Sequence, residues 1–286
     1  MTTFALTLVL LSAVIHATWN LFAKRVAGGI AFQWLFTALS LPIYAPFALA
    51  VAIVTHLHVS AVVITFIAGT AILHITYFLL LMGGYRVGDL SLVYPLARGS
   101  GPLIATAAAI AIRGERPTIL ALAGAVLIAI GAFFLTGDPR ALRRSGGGRA
   151  VAYALLTGLL IAVYTLWDKQ AMTNVKMPPV FYYWGAICIQ TVLLAPAALR
   201  HRHELEEAWR VYRMEALGVA TFSPLAYFLV LTALAISPVS YVAPAREIGI
   251  LIGAIMGSSL LAEGHMRRRL AAASLMVLGV VALAIG

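Results

Sequence analysis

The chain has 286 residues, 62% of them apolar and 10% charged, with a mean hydropathy of +0.98 and a formal net charge of +10. Globular domains run at roughly 45–50% apolar and about 25% charged residues, so this composition excludes a water-soluble enzyme or binding module and places the chain in a bilayer. A surplus of Lys and Arg would point to nucleic acid in a soluble protein, but 18 of the 20 fall in connections or at helix ends, where membrane topology accounts for them.

A window of about 20 apolar residues spans the hydrocarbon core as a helix. Ten such windows follow one another: 3–23, 30–54, 61–83, 90–112, 117–136, 150–167, 179–199, 214–236, 239–262 and 270–286. The first is preceded by "MTT", which supplies no positive n-region, and no small-x-small cleavage site follows, so it reads as a retained span rather than a secretory signal. It closes on "HATWNLFAK" (16–24), which puts His16 and Trp19 inside it. The second carries Trp34 and Pro46, and the third His74 and Tyr77. The fourth holds Tyr94 and Arg98 within "YPLARGSGPLIATAAAIAIRGE" (94–115), and Gly124 and Gly131 mark the fifth. Trp167 ends the sixth; the seventh contains Tyr182, Tyr183, Trp184 and the single cysteine, Cys188, which can form no intrachain disulfide. Tyr227 lies in the eighth span, Tyr241, Arg246 and Glu247 in the ninth, and Gly279 and Gly286 in the tenth. The longest connections, 136–149 and 200–213, are too short to hide a soluble domain.

Counting connections in order, the odd-numbered ones hold 14 Lys and Arg and the even-numbered ones four, namely Arg113, Arg116, Lys169 and Lys176. The positive-inside rule then makes the odd connections cytoplasmic and places both termini outside.

The second half of the chain repeats the first. Lys24 matches Lys169 at an offset of 145; Trp34, Pro46 and Tyr77–Phe78 match Trp184, Pro196 and Tyr227–Phe228 at 150. Arg98 matches Arg246 and Glu115 matches Glu263 at 148, and Gly124 and Gly131 match Gly279 and Gly286 at 155. Each repeat holds five spans, so the second enters the membrane from the opposite side. The expected fold is all-α, ten transmembrane helices in two inverted repeats, 1–139 and 150–286, joined by a connection over 140–149. Inverted repeats are the usual architecture of alternating-access transporters, with the substrate site near the midplane.

The order of these marks resembles the EamA-type members of the drug/metabolite transporter superfamily. The resemblance is carried by "HATWNLFAK" (16–24), "LARGSGPLIATAAAIAIRGERP" (96–117), "APAREIGILIGAIMGSSLLAEG" (243–264) and the Gly-spaced fifth and tenth spans. Within that group the aromatic-rich spans look most like those of bacterial exporters of aromatic and neutral amino acids. The resemblance implies a multi-pass protein of the bacterial inner membrane that exports small metabolites and takes no cofactor. Many relatives are drawn with cytoplasmic termini, which the charge count opposes.

Taking the fourth span to start at Leu90, a rise of about 1.5 Å per residue puts Arg98 roughly 12 Å into the membrane, and Arg246 at a similar depth from the other face. Exposed to lipid, each would cost about 2.5–3.5 kcal/mol on insertion scales, so both must face protein or a wet cavity. One reading is a structural ion pair, with Glu247, the only acid expected well inside a span, neutralising one arginine. The other is a substrate site: two arginines against one glutamate leave a cation for a substrate carboxylate, which the planar guanidinium binds through two parallel hydrogen bonds. Pro95, Gly99, Gly101 and Pro102 around Arg98, and Pro244 and Gly249 around Arg246, predict broken helices lining a cavity.

Trp19, Tyr77, Tyr94, Tyr227 and Tyr241 supply rings with a polar edge suited to a mid-sized zwitterion. Trp167 and Trp184, near helix ends, are expected in the interfacial belt. His16 and His74 either bond across helices or contact substrate. Glu115 and Glu263, at helix ends, are expected to pair with nearby arginines. The glycine pairs, two turns apart, pack helices closely, a homodimer face being the alternative. No "GxxxxGK[ST]" occurs, which excludes a built-in ATPase, and no Cys/His cluster has metal spacing. No Ser/His, paired-Asp or HExxH constellation marks an intramembrane enzyme. The expected function is therefore secondary transport of amino acids or related metabolites, with an organophosphate, phosphonate or other organic-anion carrier as the rival.

The loop charges make the termini extracytoplasmic: a C-terminal alkaline phosphatase fusion is expected to be active and a C-terminal GFP fusion dark, and the reverse pair of results overturns this topology.

Overall fold

The computed structural model describes residues 1–26, 29–88, 90–136, 148–256 and 266–286, and among them the regular elements are helices with no strand. In chain order they are α1 (Thr3–Lys24), α2 (Ile30–Val54), α3 (Ala61–Val87), α4 (Leu90–Arg113), α5 (Ile119–Thr136), α6 (Gly148–Thr173), α7 (Pro179–Arg200), α8 (Arg202–Ile236), α9 (Val239–Ala245), α10 (Ile248–Met256) and α11 (Met266–Ile285). The starts are set locally. Thr2 and Ser60 accept the backbone N–H of Ala5 and Val63, satisfying donors that a first turn otherwise leaves open, and Pro179 takes the first helical position of α7, where its missing N–H costs nothing.

Eight of the helical segments are long and apolar enough to cross a membrane, and Ile119–Leu135 and Leu270–Ile285 are shorter apolar helices. Over the described residues each of the ten predicted windows thus falls largely on helix, with 257–262 of the ninth lying outside them. Large apolar side chains such as Phe47, Ile53, Ile119 and Val192 point outward, as a chain solvated by lipid requires, while the interior contacts rest on small residues such as Ala5, Ala97, Ala105 and Ala216.

The structure departs from the expected spans in three places. First, α6 runs on to Thr173, past the window ending at 167, and carries Asp168 and Lys169 inside the helix, both buried. Second, the 200–213 connection is itself helical: α8 spans 35 residues with a break at Tyr212 (φ −118°, ψ 29°). Third, only one of the two arginine helices is broken. The ninth span divides into α9 and α10 at Arg246 and Glu247, where the N–H groups of Glu247, Gly249 and Ile250 turn back three residues to Pro244, Arg246 and Glu247 carbonyls at 3.0, 3.1 and 2.9 Å. This tight turn follows Pro244, which has no N–H to continue the ladder. By contrast, α4 passes through Pro95, Arg98 and Pro102 as one helix.

Contacts between the two halves come in matched sets. α2 packs on α7 and α5 on α11; α1 packs on α8 and α3 on α6; α4 packs on α6 and α1 on α10. Trp34 donates its indole N–H to Thr191 O at 2.9 Å and Trp184 donates to Leu41 O at 3.1 Å. Both donors and both acceptors are 150 residues apart, and the crossing of the two bonds makes α2 and α7 antiparallel. Along α5 and α11, a methyl group built on Gly124 would meet Gly279 O at 2.6 Å and one built on Gly279 would meet Gly124 O at 2.7 Å. The glycine faces are therefore turned on each other within the chain, the close approach that small residues permit.

Candidate functional site

A cavity of about 350 Å³ lies between α1, α2, α3, α4, α6, α7 and α8 and reaches Arg246. Its lining runs out to Ala23 at the end of α1, Gly29 before α2, and Tyr85 near the end of α3. Toward the other end of the bundle the lining stops at Val9, Arg98, Tyr164 and Val230, well short of the ends of α4, α6 and α8. The cavity thus faces one end of the molecule.

Eight of the expected site residues line it: His16 and Trp19 from α1, His74 and Tyr77 from α3, Tyr94 and Arg98 from α4, Tyr227 from α8, and Arg246. The other two do not. Glu247 lies behind the wall, its Oε2 3.1 Å from Arg98 Nε. Tyr241 is remote, its hydroxyl 3.4 Å from the Thr118 N–H and 3.3 Å from Gly286 O at the ends of α5 and α11.

The two arginines are differently partnered. Arg98 is 7% exposed, forms the ion pair with buried Glu247, and has its guanidinium 5.9 Å from the Tyr94 ring centroid. Arg246 has its guanidinium 5.7 Å from the Tyr227 centroid and no ion pair among the described residues. Two further donors are buried without a hydrogen-bond acceptor: Trp19 Nε1 and Gln190 Nε2, both on residues of the cavity wall. Opposite them is an aromatic wall. The His74 ring lies 4.5 Å from Tyr164 and 5.1 Å from Tyr227, and Tyr183 lies 4.5 Å from Tyr227. His74 Nδ1 is 2.8 Å from Thr70 O, which assigns the proton to that nitrogen and leaves Nε2 as an acceptor.

Asp168 is the residue that the sequence reading missed, and it corrects the statement that Glu247 is the only acid inside a span. Its carboxylate is fully buried and accepts the hydroxyls of Tyr182, at 2.6 Å, and Tyr227. The sixth window stopped one residue short of it. A signal was present, because the offset of 148 that pairs the arginines also pairs "TWN" (18–20) with "LWD" (166–168) and His16 with Tyr164. Lys169, expected in a connection, donates from Nζ to Leu234 O at 2.6 Å and Ser237 O at 2.9 Å, neutralising open carbonyls at the end of α8.

Glu115 is not paired with an arginine. Its carboxylate accepts Val239 N–H at 2.9 Å, Ser240 N–H at 2.9 Å and Ser240 Oγ–H at 2.7 Å, where α9 begins. Glu263 lies outside the described residues. Trp167 and Trp184 act as interhelical donors, to Phe66 O at 3.0 Å and Leu41 O at 3.1 Å. Among the described residues no three His, Cys, Asp or Glu side chains gather as metal ligands.

Guanidinium, indole and amide donors thus face a ring-lined cavity, and among the described residues both buried acids, Asp168 and Glu247, are engaged. The fold and this cavity define a multi-pass helical membrane protein. Its second half, residues 148–285, matches the model of the EamA-like transporter family, which supports the type that the sequence marks resemble. A solved structure titled only "Crystal structure of protein" is similar over 100% of this chain and 98% of its own, with a TM-score of 0.76 and 15% identity, a likeness of fold alone. No curated protein matches the sequence.

The Asp168 carboxylate anchors two tyrosines at once. Asp168→Asn removes the charge and turns an N–H₂ toward one hydroxyl, so it is expected to lower stability by about 1.5–3 kcal/mol, more than either Tyr182→Phe or Tyr227→Phe, as read from thermal unfolding of the purified variants.

Proposed function

We propose that the chain is a secondary transporter of the bacterial inner membrane that moves aromatic and neutral amino acids, or related small carboxylates, outward by alternating access. The observation that carries this reading is Arg246: a guanidinium in the wall of a central cavity, stacked on Tyr227, with no acid to pair it among the described residues. A half-buried cation without a counter-charge inside a membrane is costly, and a carboxylate held through two parallel hydrogen bonds completes it. The unpaired N–H groups of Trp19 and Gln190 add donors for the same group, and His74, Tyr164 and Tyr183 offer flat apolar faces to a side chain.

Alternating access is supported by the crossed bonds of Trp34 and Trp184. Reciprocal contacts between equivalent, antiparallel helices are what a two-fold axis in the membrane plane generates, and they favour two inverted five-helix repeats, 1–139 and 150–286. A specific feature favours the second reading, an organophosphate or other organic-anion carrier. Glu247 is held by Arg98 and Asp168 by two tyrosines, so no uncommitted carboxylate faces the cavity to receive a substrate ammonium. In the amino-acid reading that role falls to His74 Nε2 and the tyrosine hydroxyls.

Counterflow in proteoliposomes against amino acids, their deaminated analogues and phosphate esters separates the two. In the same assay Arg246→Gln is expected to raise half-saturation about 10- to 100-fold with stability intact, the scale of a charge-assisted bond. Arg98→Gln strands Glu247 and is expected to lower stability instead. A stable Arg246→Gln variant that transports normally overturns the proposal.

A further inference from the structure

The cavity faces one end of the bundle because the opposite end is tied shut, and the ties are specific. α6 is joined to α8 through Asp168 to Tyr227 and through Lys169 to Leu234 O and Ser237 O. Arg113 at the end of α4 adds bonds to Gln170 Oε1 at 2.7 Å and Thr173 Oγ1 at 3.2 Å. At the open end the counterparts are present and unused. α1 corresponds to α6 and α3 to α8, yet α1 and α3 have no packing comparable to that of α6 on α8.

The two receiving helices end alike. α3 and α8 close on extended residues, Gly88 (φ −151°, ψ 163°) and Ser237 (φ −136°, ψ 150°), whose N–H groups return to Gly84 O at 3.0 Å and Ala233 O at 2.9 Å. Counted back from these closing residues, which are 149 apart, Tyr85 stands where Leu234 does, one residue off the register of Tyr77 and Tyr227. Lys24 ends α1 one turn beyond Asn20, whereas Lys169 directly follows Asp168; Lys24 is exposed and makes no hydrogen bond or ion pair among the described residues. Asn20, which the register of "TWN" and "LWD" pairs with Asp168, donates among the described residues only to His16 O of its own helix, at 2.7 Å. Tyr77, the match of Tyr227, has no hydroxyl hydrogen bond among the described residues, and both Asn20 and Tyr77 line the cavity.

We infer that Lys24 and Asn20 are the latch of the second gate. When α1 closes on α3, the Lys24 ammonium binds Tyr85 O and Gly88 O and the Tyr77 hydroxyl donates to Asn20 Oδ1, while the Asp168 and Lys169 ties release. The inference rests on the alternating-access reading and names the residues that carry it. It also accounts for which end is closed here. The Asp168 tie is charge-assisted and the Asn20 tie neutral, and hydrogen bonds to an ionised partner are roughly twice as strong. The state with the Lys24 end open is therefore the more stable of the two.

The test needs no substrate, so its failure is separate from failure of the transport panel. In a Cys188→Ser background, Ile75→Cys places one thiol in the cavity wall, and a membrane-impermeant thiol reagent is applied to either face of vesicles. Labelling from the Lys169 end reports the population open on that side. Lys24→Met is expected to slow it about tenfold, the loss of one charge-assisted bond, and Tyr77→Phe to slow it less. Lys24→Arg, which keeps the charge, is expected to stay near the parent rate, and Lys169→Met to speed it. Continued labelling from the Lys24 end shows that each variant is folded. Unchanged labelling from the Lys169 end in Lys24→Met, or shifts of one sign in both lysine variants, overturns the latch.

Discussion

A charge carried into hydrocarbon must find its counter-charge or its hydrogen bonds within the protein, because lipid offers neither. The interior of this molecule is arranged around that constraint. Arg98 is answered by Glu247, and Asp168 by Tyr182 and Tyr227. Lys169 is answered by carbonyls at the end of α8, and Glu115 by backbone N–H groups where α9 starts. Against this nearly complete accounting, Arg246 stands out, with the face of Tyr227 against it and no ion pair among the described residues. A cation–π contact of this kind contributes about 0.5–2 kcal/mol, which leaves a half-buried guanidinium inside a membrane short of a counter-charge. The shortfall falls in the cavity wall, where cargo can supply the missing anion.

In the proposed mechanism the same groups link binding to motion. Tyr227 touches both systems: its ring lies under Arg246 and its hydroxyl holds Asp168, one of the ties between α6 and α8. A ligand that draws Arg246 toward itself changes the surroundings of a residue on which the closed end depends. Binding and gating then share one side chain, so a differential affinity for the two states has a physical seat.

The spans were legible in the sequence because a run of apolar residues long enough to cross a bilayer is a strong signal, and over the described residues all ten windows fall largely on helix. The arginine pair was legible because two charges at matching positions stand out in apolar surroundings. Asp168 was not, because a hydropathy window ends where polar residues begin, and "WDK" looks like the start of a connection until tertiary partners bury it. The unequal partnering of Arg98 and Arg246 was likewise hidden. It depends on the turn after Pro244 that aims Glu247 at the other arginine, and no spacing in the sequence distinguishes that helix from the unbroken α4. Tyr241 failed for the converse reason: a tyrosine near the start of a span carries no mark of the side toward which its hydroxyl turns.

The central claim is that an anionic ligand completes Arg246. Thermal unfolding of the purified protein, titrated with an aromatic carboxylate or amino acid identified by counterflow, tests it most directly, because a ligand that binds only the folded state stabilises it by RT ln(1 + [L]/Kd), about 2.7 kcal/mol at a hundredfold excess over Kd. The account predicts a saturable rise in Tm for the unmodified chain that is lost in Arg246→Gln. An equal rise in both proteins would contradict it.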